Sequence, residues 1–408
     1  MKTSYSPIDA KERIVSLDVL RGFAVLGILI MNIQSFSMIF AAYQNPLAYG
    51  DLSGINLLIW KLSHVFADQK FMTIFSILFG AGILLMTQKI EKQGLSSKGL
   101  HFRRMMWLII IGLLHAYFLW HGDILVNYGT IALLVYFFRK KNSRTLTVVG
   151  IAFIIIPSML YWMSGWSMQY WSTEQITELA NQWLPGQEII DKEIAAFQGS
   201  WWSGVSHRSS IVLMLETSLV FLFGWRILGQ MLIGMALYKS GFLSAKLSYK
   251  KYLLTLIICF SIGFTLIITG MNKNFNSGWD GEYSRFNGIQ YNYWGSILVS
   301  IGYISIIMII VKTKILSGLK NILAPVGRMA FTNYLLQTII CTIIFYGFGF
   351  GYFGKLTRAE QIIIVLCIWT FEIILSRIWL RYFKYGPFEW LWRSLSYRKL
   401  FKLRREIS

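Results

Sequence analysis

Ten stretches of apolar side chains follow one another along this chain of 408 residues. A spanning helix needs about 20 mostly apolar residues, and in hydrocarbon its backbone N–H and C=O groups must satisfy one another. The stretches are Val19–Ala42, Ile55–Met86, Met105–Trp120, Ile124–Phe138, Leu146–Met163, Ile211–Tyr238, Tyr252–Met271, Tyr291–Val311, Val326–Phe350 and Gln361–Phe383. They predict an all-α fold, a polytopic bundle of about ten transmembrane helices. The second and sixth are long enough to tilt or kink. The fourth is short, and its left edge reaches back toward His121.

Composition removes the alternatives. The chain is 55% hydrophobic and 14% charged, with a mean hydropathy of +0.53. An ordinary soluble domain carries about 25% charged residues. A disordered chain would not hold 16% aromatic residues.

The net charge of +20 invites a test for nucleic-acid binding. The basic residues, however, sit in short runs between the apolar stretches. With the N-terminus in the cytoplasm, inside segments carry 26 Lys and Arg and outside segments only 6. That asymmetry is the positive-inside pattern of a membrane protein, with no nucleic-acid partner implied. Both termini then lie in the cytoplasm, which requires an even number of spans. The first stretch is too long for a signal-peptide core and lacks a small-x-small cleavage site, so it reads as a retained anchor. Residues 1–408 form a single integral membrane domain on this reading. Residues 164–210 form an outside-facing loop with amphipathic helices, carrying tryptophans at 166, 171, 183, 201 and 202 that suit a membrane–water boundary. Residues 384–408 form a basic cytoplasmic tail.

Several motifs are set aside. Cys259, Cys341 and Cys367 lie inside apolar stretches, with neither a C-x-x-C pair nor a neighbouring His, so no metal site or disulfide framework is implied. Gly349-Phe-Gly351-Tyr-Phe-Gly354 matches G-x-G-x-x-G, but it closes a span instead of opening a helix after a strand.

A charge at bilayer depth costs about 2.5–3.5 kcal/mol on insertion scales, so each one needs a partner or a role. In the first stretch Asp18 and Arg21 are three apart and share a face. They form either an interfacial ion pair or a contact for an anion arriving from the cytoplasm. Asn32 and Gln34 lie further out on the same stretch. In the second, Lys61, His64 and Asp68 share a face, and Lys70 lies about 200° from Asp68, so it must find another partner. His64 and Asp68 are candidates for a polar cavity. The third holds His115 and leaves the membrane at Trp120-His121-Gly122-Asp123. A tight turn at Gly122 would fold Asp123 back to fix the His115 tautomer for acid–base work. In the ninth, Asn333 and Gln337 make one polar face, and Arg328 sits at the cytoplasmic start, suited to a phosphate. Structural pairing accounts for Glu216 and Arg226 in the sixth stretch and for Glu372 and Arg377 in the tenth.

Five segments together resemble a known group. They are Arg13-Ile-Val-Ser-Leu-Asp18-Val-Leu-Arg21-Gly22 leading to Asn32; Lys70-Phe71 with Phe75-Ser-Ile-Leu-Phe79-Gly80-Ala-Gly82; and Gly112-Leu-Leu-His115 with Trp120-His121-Gly122-Asp123. Gly327-Arg328-Met-Ala-Phe-Thr332-Asn333-Tyr334-Leu-Leu-Gln337 and Gly386-Pro387-Phe-Glu389-Trp390-Leu-Trp-Arg393 complete the set. The chain resembles the YeiB-like family of bacterial inner-membrane proteins over nearly its whole length. That family is distantly similar to membrane acyltransferases of the heparan glucosaminide acetyltransferase type, which share the S-[LV]-D-x-x-R-G opening and a late Asn in the same span. By position the wider resemblance carries over Asp18, Arg21, Gly22 and Asn32.

The resemblance implies acyl transfer from cytosolic acyl-CoA to a lipid or glycan acceptor at or across the membrane. His115, Asp123 and Asn32 would be catalytic, Asn32 at the oxyanion. Arg21, Arg328 and Lys70 would hold the donor. His64, Asp68, Asn333 and Gln337 would line the substrate cavity. The alternative is a transporter or exporter of a small or lipid-like substrate, in which the same charges line a path or relay protons.

Overall fold

The computed structural model describes residues 13–218, 222–313 and 316–405. Regular structure among the described residues is helical, with one isolated antiparallel bridge between Phe383 and Arg404.

Helix α1 (Val15–Ser37) stops at Met38, and a short α2 (Phe40–Gln44) follows. Helices α3 (Gly54–Phe66) and α4 (Lys70–Lys92) make one rod interrupted at residues 67–69, where Gln69 takes a left-handed conformation, φ 63°. Then come α5 (Lys98–Phe118), α6 (Leu125–Val135) and α7 (Ser143–Ser167). Between them and the next long helices lie α8 (Thr173–Trp183) and α9 (Gln187–Gln198). Helices α10 (Trp201–Ser218) and α11 (Gly224–Lys239) follow. The sixth apolar stretch runs through residues 219–221, which lie outside the described residues.

Helix α12 (Tyr249–Asn276) leads to a short α13 (Gly281–Tyr283), a π turn (Ser284–Gly288) and α14 (Ile289–Lys312). Helices α15 (Ser317–Arg328) and α16 (Ala330–Phe345) meet at a 77° bend. Helix α17 (Arg358–Tyr382) and α18 (Pro387–Tyr397) close the chain.

Among the described residues six helices are long and apolar enough to cross a membrane, counting Gly54–Lys92 as one, and seven if the bent α15–α16 pair is one span. The third and fourth expected spans are helical but shorter in apolar length. Helix α5 begins with Lys98, His101, Arg103 and Arg104, so its apolar part starts at Met105. Helix α6 with its following turn covers only Leu125–Phe138.

Burial sorts the rods into layers. In the most apolar part of α1, 72% of residues are buried, against 22% for α7, α12 and α17. Those outer helices expose Ile151, Ile155 and Trp162, Ile257, Ile258 and Ile262, and Ile363, Phe371 and Ile374. Apolar faces of that extent are unstable in water and suited to lipid tails.

Small residues let the inner helices approach. A Cβ on Gly22 would lie 2.0 Å from the Leu323 carbonyl oxygen, and one on Gly327 would lie 1.8 Å from that of Asp18, so α1 and α15 touch backbone to backbone. Gly80 and Gly234 serve the α4–α11 crossing in the same way.

Candidate functional site

The α5–α6 hairpin brings His115 and Asp123 together. Its helices close on each other through Gly112, whose Cβ would lie 2.6 Å from the Val126 nitrogen, and through Gly129 against Ile109. At the turn the Trp120 ring covers Gly122 so closely that a Cβ would sit 2.3 Å from it. The chain therefore doubles back, and Asp123 reaches the last turn of α5.

His115 Nδ1 lies 2.7 Å from Asp123 Oδ1, with both side chains nearly inaccessible at 1% and 3%. Asp123 Oδ2 accepts from the Val126 N–H at 2.8 Å, which holds the carboxylate in place. A carboxylate accepts only, so Nδ1 carries the proton and Nε2 presents its lone pair. That lone pair faces Thr338 Oγ1 on α16, 2.9 Å away. The result is a buried hydroxyl–imidazole–carboxylate line, the arrangement by which an imidazole can take a proton from a hydroxyl.

The next residue but one before Asp123 extends this polar region. His121 Nε2 lies 3.1 Å from Ser35 Oγ of α1, while His121 Nδ1, Trp120 Nε1 and Gln34 Oε1 are buried without a hydrogen-bond partner. Buried polar atoms are nearly always paired, so three orphans on adjoining elements mark a place for a hydrogen-bonding ligand or ordered water.

A second network surrounds the α3–α4 break. His64 Nδ1 lies 3.1 Å from Asp68 Oδ2. Asn292 of α14 donates to the same Asp68 oxygen at 2.6 Å and accepts from Lys70 Nζ at 2.9 Å. Lys70 also donates to the His64 carbonyl at 2.6 Å. Arg226 of α11 reaches Gln69 Oε1 and donates to Ser296 Oγ at 2.9 Å, with its guanidinium over the Tyr293 ring. Lys61 stays outside this set and lies over the Phe275 ring.

Other sequence candidates find separate places. Arg21 pairs with Asp18 at 3.0 Å. Arg328 lies within the electrostatic reach of Asp18, Arg13 and Arg405, and its Nε is buried without a partner. Lys70 does not join these arginines. It lies 12 residues before Gly82, where a Cβ would meet the Arg21 guanidinium at 4.0 Å, hence about 18 Å along the helix. Asn333 and Gln337 turn to α17, where Asn333 donates to Ser376 Oγ at 3.0 Å and Gln337 to Glu372 Oε2 at 3.0 Å. Asn32 is half-buried and belongs to neither network. Glu372 takes its hydrogen bond from Gln337 and Glu216 from the Tyr117 hydroxyl, while Arg377 is exposed.

Relatives match the chain over nearly its whole length. The chain is 32% identical to the "Uncharacterized protein YeiB" of Escherichia coli (strain K12) over 389 residues, covering 95% of this chain and 97% of the relative. It belongs to the YeiB-like family. The "Uncharacterized protein YxaH" of Bacillus subtilis (strain 168) is 30% identical over 409 residues, with 97% of each chain covered. A protein of Bacillus acidopullulyticus, the "Uncharacterized 39.9 kDa protein in amylase 3'region", is 26% identical over 412 residues. Residues 237–399 match the family profile described as "Protein of unknown function (DUF418)".

Three residues of this YeiB-like chain were missed by sequence reasoning. Thr338 follows Gln337 and looks like any hydroxyl in an apolar helix. Asn292 lies in a polar run, Gln290-Tyr-Asn292, at the head of α14, a signal that was available. Glu389 caps α16 by accepting from the Phe331 and Thr332 N–H groups at 2.8 and 3.1 Å. Its place as the third residue of a tail helix gave no hint of that.

Proposed function

We propose that this protein crosses the bacterial inner membrane ten times with both termini in the cytoplasm and transfers an acyl group from cytosolic acyl-CoA to an acceptor at or across the membrane. The charge asymmetry between alternate loops supports the orientation. The observation that carries the enzyme reading is the His115–Asp123 pair at 2.7 Å with Nε2 aimed at a hydroxyl. An acid–base group so oriented, and shielded from water, is suited to deprotonating an alcohol or amine that attacks a thioester.

The donor end fits a phosphate-bearing molecule. Arg328 keeps a buried unpaired Nε within the electrostatic reach of Arg13, Arg405 and Asp18, and Asp18 in turn pairs with Arg21. A cavity of about 430 Å³ near the start of α1, lined by Gln88, Tyr238, Lys239, Ser244 and Lys246 among others, adds two lysines at the same end. Arginine suits phosphate by its planar fork of donors.

The test is thiol release from acyl-CoA by the full chain in nanodiscs. His115→Ala is expected to abolish release, and Arg21→Ala to raise the donor concentration needed. If both variants turn over like the parent, the assignment is wrong.

The α3–α4 break favours a second reading, transport. A discontinuous helix whose interruption gathers Asp68, Lys70 and Arg226 is the kind of element that holds a carried substrate or a coupling proton. Substrate flux into proteoliposomes lacking any acyl donor, with no thiol release, would select it.

A further inference from the structure

We propose that Thr338 is a covalent acyl carrier, so that transfer runs in two half-reactions through an ester on its hydroxyl. The inference rests on the acyl-transfer reading and adds the residue that holds the group between donor and acceptor.

The geometry is that of an activated nucleophile. Asp123 is locked by the Val126 N–H, His115 is locked by Asp123, and the free Nε2 lone pair is 2.9 Å from Thr338 Oγ1. The other contact of the hydroxyl, the Tyr334 carbonyl one turn back, is long at 3.4 Å. The imidazole is therefore the better acceptor of its proton. No other hydroxyl is within hydrogen-bond distance of either His115 ring nitrogen among the described residues.

Position argues the same way. Thr338 lies eight residues above Ala330, about 12 Å up α16 from the bend beside Arg328. On the other side the Trp120 ring, with its orphaned Nε1, lies 6.3 Å from the His115 ring, and the orphaned His121 Nδ1 adjoins it. Thr338 thus stands between the basic end and the unsatisfied polar region. The hydroxyl and the imidazole are both buried, so an ester formed there is shielded from bulk water.

Both half-reactions balance. Thr338 Oγ attacks the thioester carbonyl carbon while His115 Nε2 takes its proton. The carbon–sulfur bond breaks, and the imidazolium returns that proton to the leaving thiolate, giving free CoA thiol and the Thr338 ester. An acceptor hydroxyl or amine then attacks the ester and passes its proton to His115. The acyl–Oγ bond breaks, and the imidazolium protonates Oγ. His115 is the catalytic base in both steps, and Asp123 is a positioning residue.

The experiment uses the full-length protein in nanodiscs with radiolabelled acetyl-CoA. After denaturation the parent is expected to keep hydroxylamine-labile label on the peptide containing Thr338, located by mass spectrometry. T338S is expected to keep label at that position, T338V to lose it with turnover down about 100-fold or more, and His115→Ala to show none. A matching size-exclusion profile for T338V excludes misfolding, and T338S tests the hydroxyl independently of it. Thiol release that depends on His115 but persists in T338V, with no label on Thr338, overturns the carrier and leaves acyl transfer standing. No thiol release by the parent from acetyl-CoA or from longer acyl-CoAs overturns the acyl-transfer reading itself, and the carrier with it.

Discussion

Around Lys70 the sequence posed a question that the structure answers. Lys70 could not share a helix face with Asp68, so it needed a partner from elsewhere. Asn292 bridges the two by accepting from the ammonium and donating to the carboxylate. The cluster sets two cations, Lys70 and Arg226, against the single carboxylate of Asp68, with His64 alongside. Removing one partner from a buried ionic set is costly because the rest is left uncompensated, by about 3–5 kcal/mol. Asp68→Leu should therefore lower stability by roughly that amount, read as the midpoint of thermal unfolding in detergent. Adding Lys70→Met should recover much of the loss, since it removes one stranded charge. An Asp68→Leu protein that melts like the parent would show the carboxylate to be unnecessary. At this scale sequence reading found most ionisable members of each network, because charge in an apolar run is conspicuous. It missed Asn292, whose polar run was a visible signal, and could not find Thr338, whose significance is who faces it across the bundle.

Among the helices, the breaks and close approaches decide what the side chains can meet. The second apolar stretch reads as one long rod, and only a positive φ at Gln69, held while its side chain takes a bond from Arg226, splits it. No helix-breaking residue announces that split, since Ala67-Asp68-Gln69 holds neither Gly nor Pro. The bend at Met329 is likewise preceded by Pro325 but not placed by it. The α1–α15 crossing rests on Gly22 and Gly327, whose missing side chains let the two backbones touch. A Cβ at Gly327 meets backbone, which cannot swing aside, so Gly327→Ala should cost about 1–3 kcal/mol in detergent unfolding and should disturb the seat of Arg328.

Helix α9 shows a titrating contact at the same scale. The Phe40 N–H of α2 donates to Glu193 at 2.8 Å, and burial pushes this carboxyl up to about 7 from an ordinary 4.5. The folded form therefore holds its proton more tightly than the unfolded form. Its contribution is complete below pH 4.5, falls as pH rises, and is lost above about pH 7. The shift corresponds to a swing on the order of 3 kcal/mol. Amide exchange in α9 should be slower at pH 5 than at pH 8 after correction for intrinsic rates, and Glu193→Gln should remove that difference. An α9 whose corrected exchange ignores pH would show that the carboxyl does not govern its docking.

For the whole molecule, apolar content announced a lipid environment, and the packing explains how the chain divides it. Helix α1 hides most of its apolar surface, while α7, α12 and α17 turn theirs outward. What composition cannot fix is the number of crossings, because Leu125–Phe138 is too short to span about 30 Å of hydrocarbon unaided. Such a short helix can cross only where the bilayer thins or where neighbouring protein satisfies its ends. Ten crossings put residue 142 on the cytoplasmic side and residue 187 on the other, separated by α7, a helix of 25 residues with its apolar face outward. The native cysteines are simple to account for, since Cys259 and Cys341 are buried and Cys367 faces outward from α17. With those three replaced, Asn142→Cys should react with an impermeant maleimide only in inverted vesicles, and Gln187→Cys only in intact spheroplasts. A cysteine at Gly318 should follow the pattern of position 142 and one at Lys355 that of position 187, because α16 must then carry the chain across. Labelling of positions 318 and 355 from the same side would make the bent α15–α16 pair a re-entrant element. It would leave an odd number of crossings for the rest of the chain and would separate the two termini by the membrane.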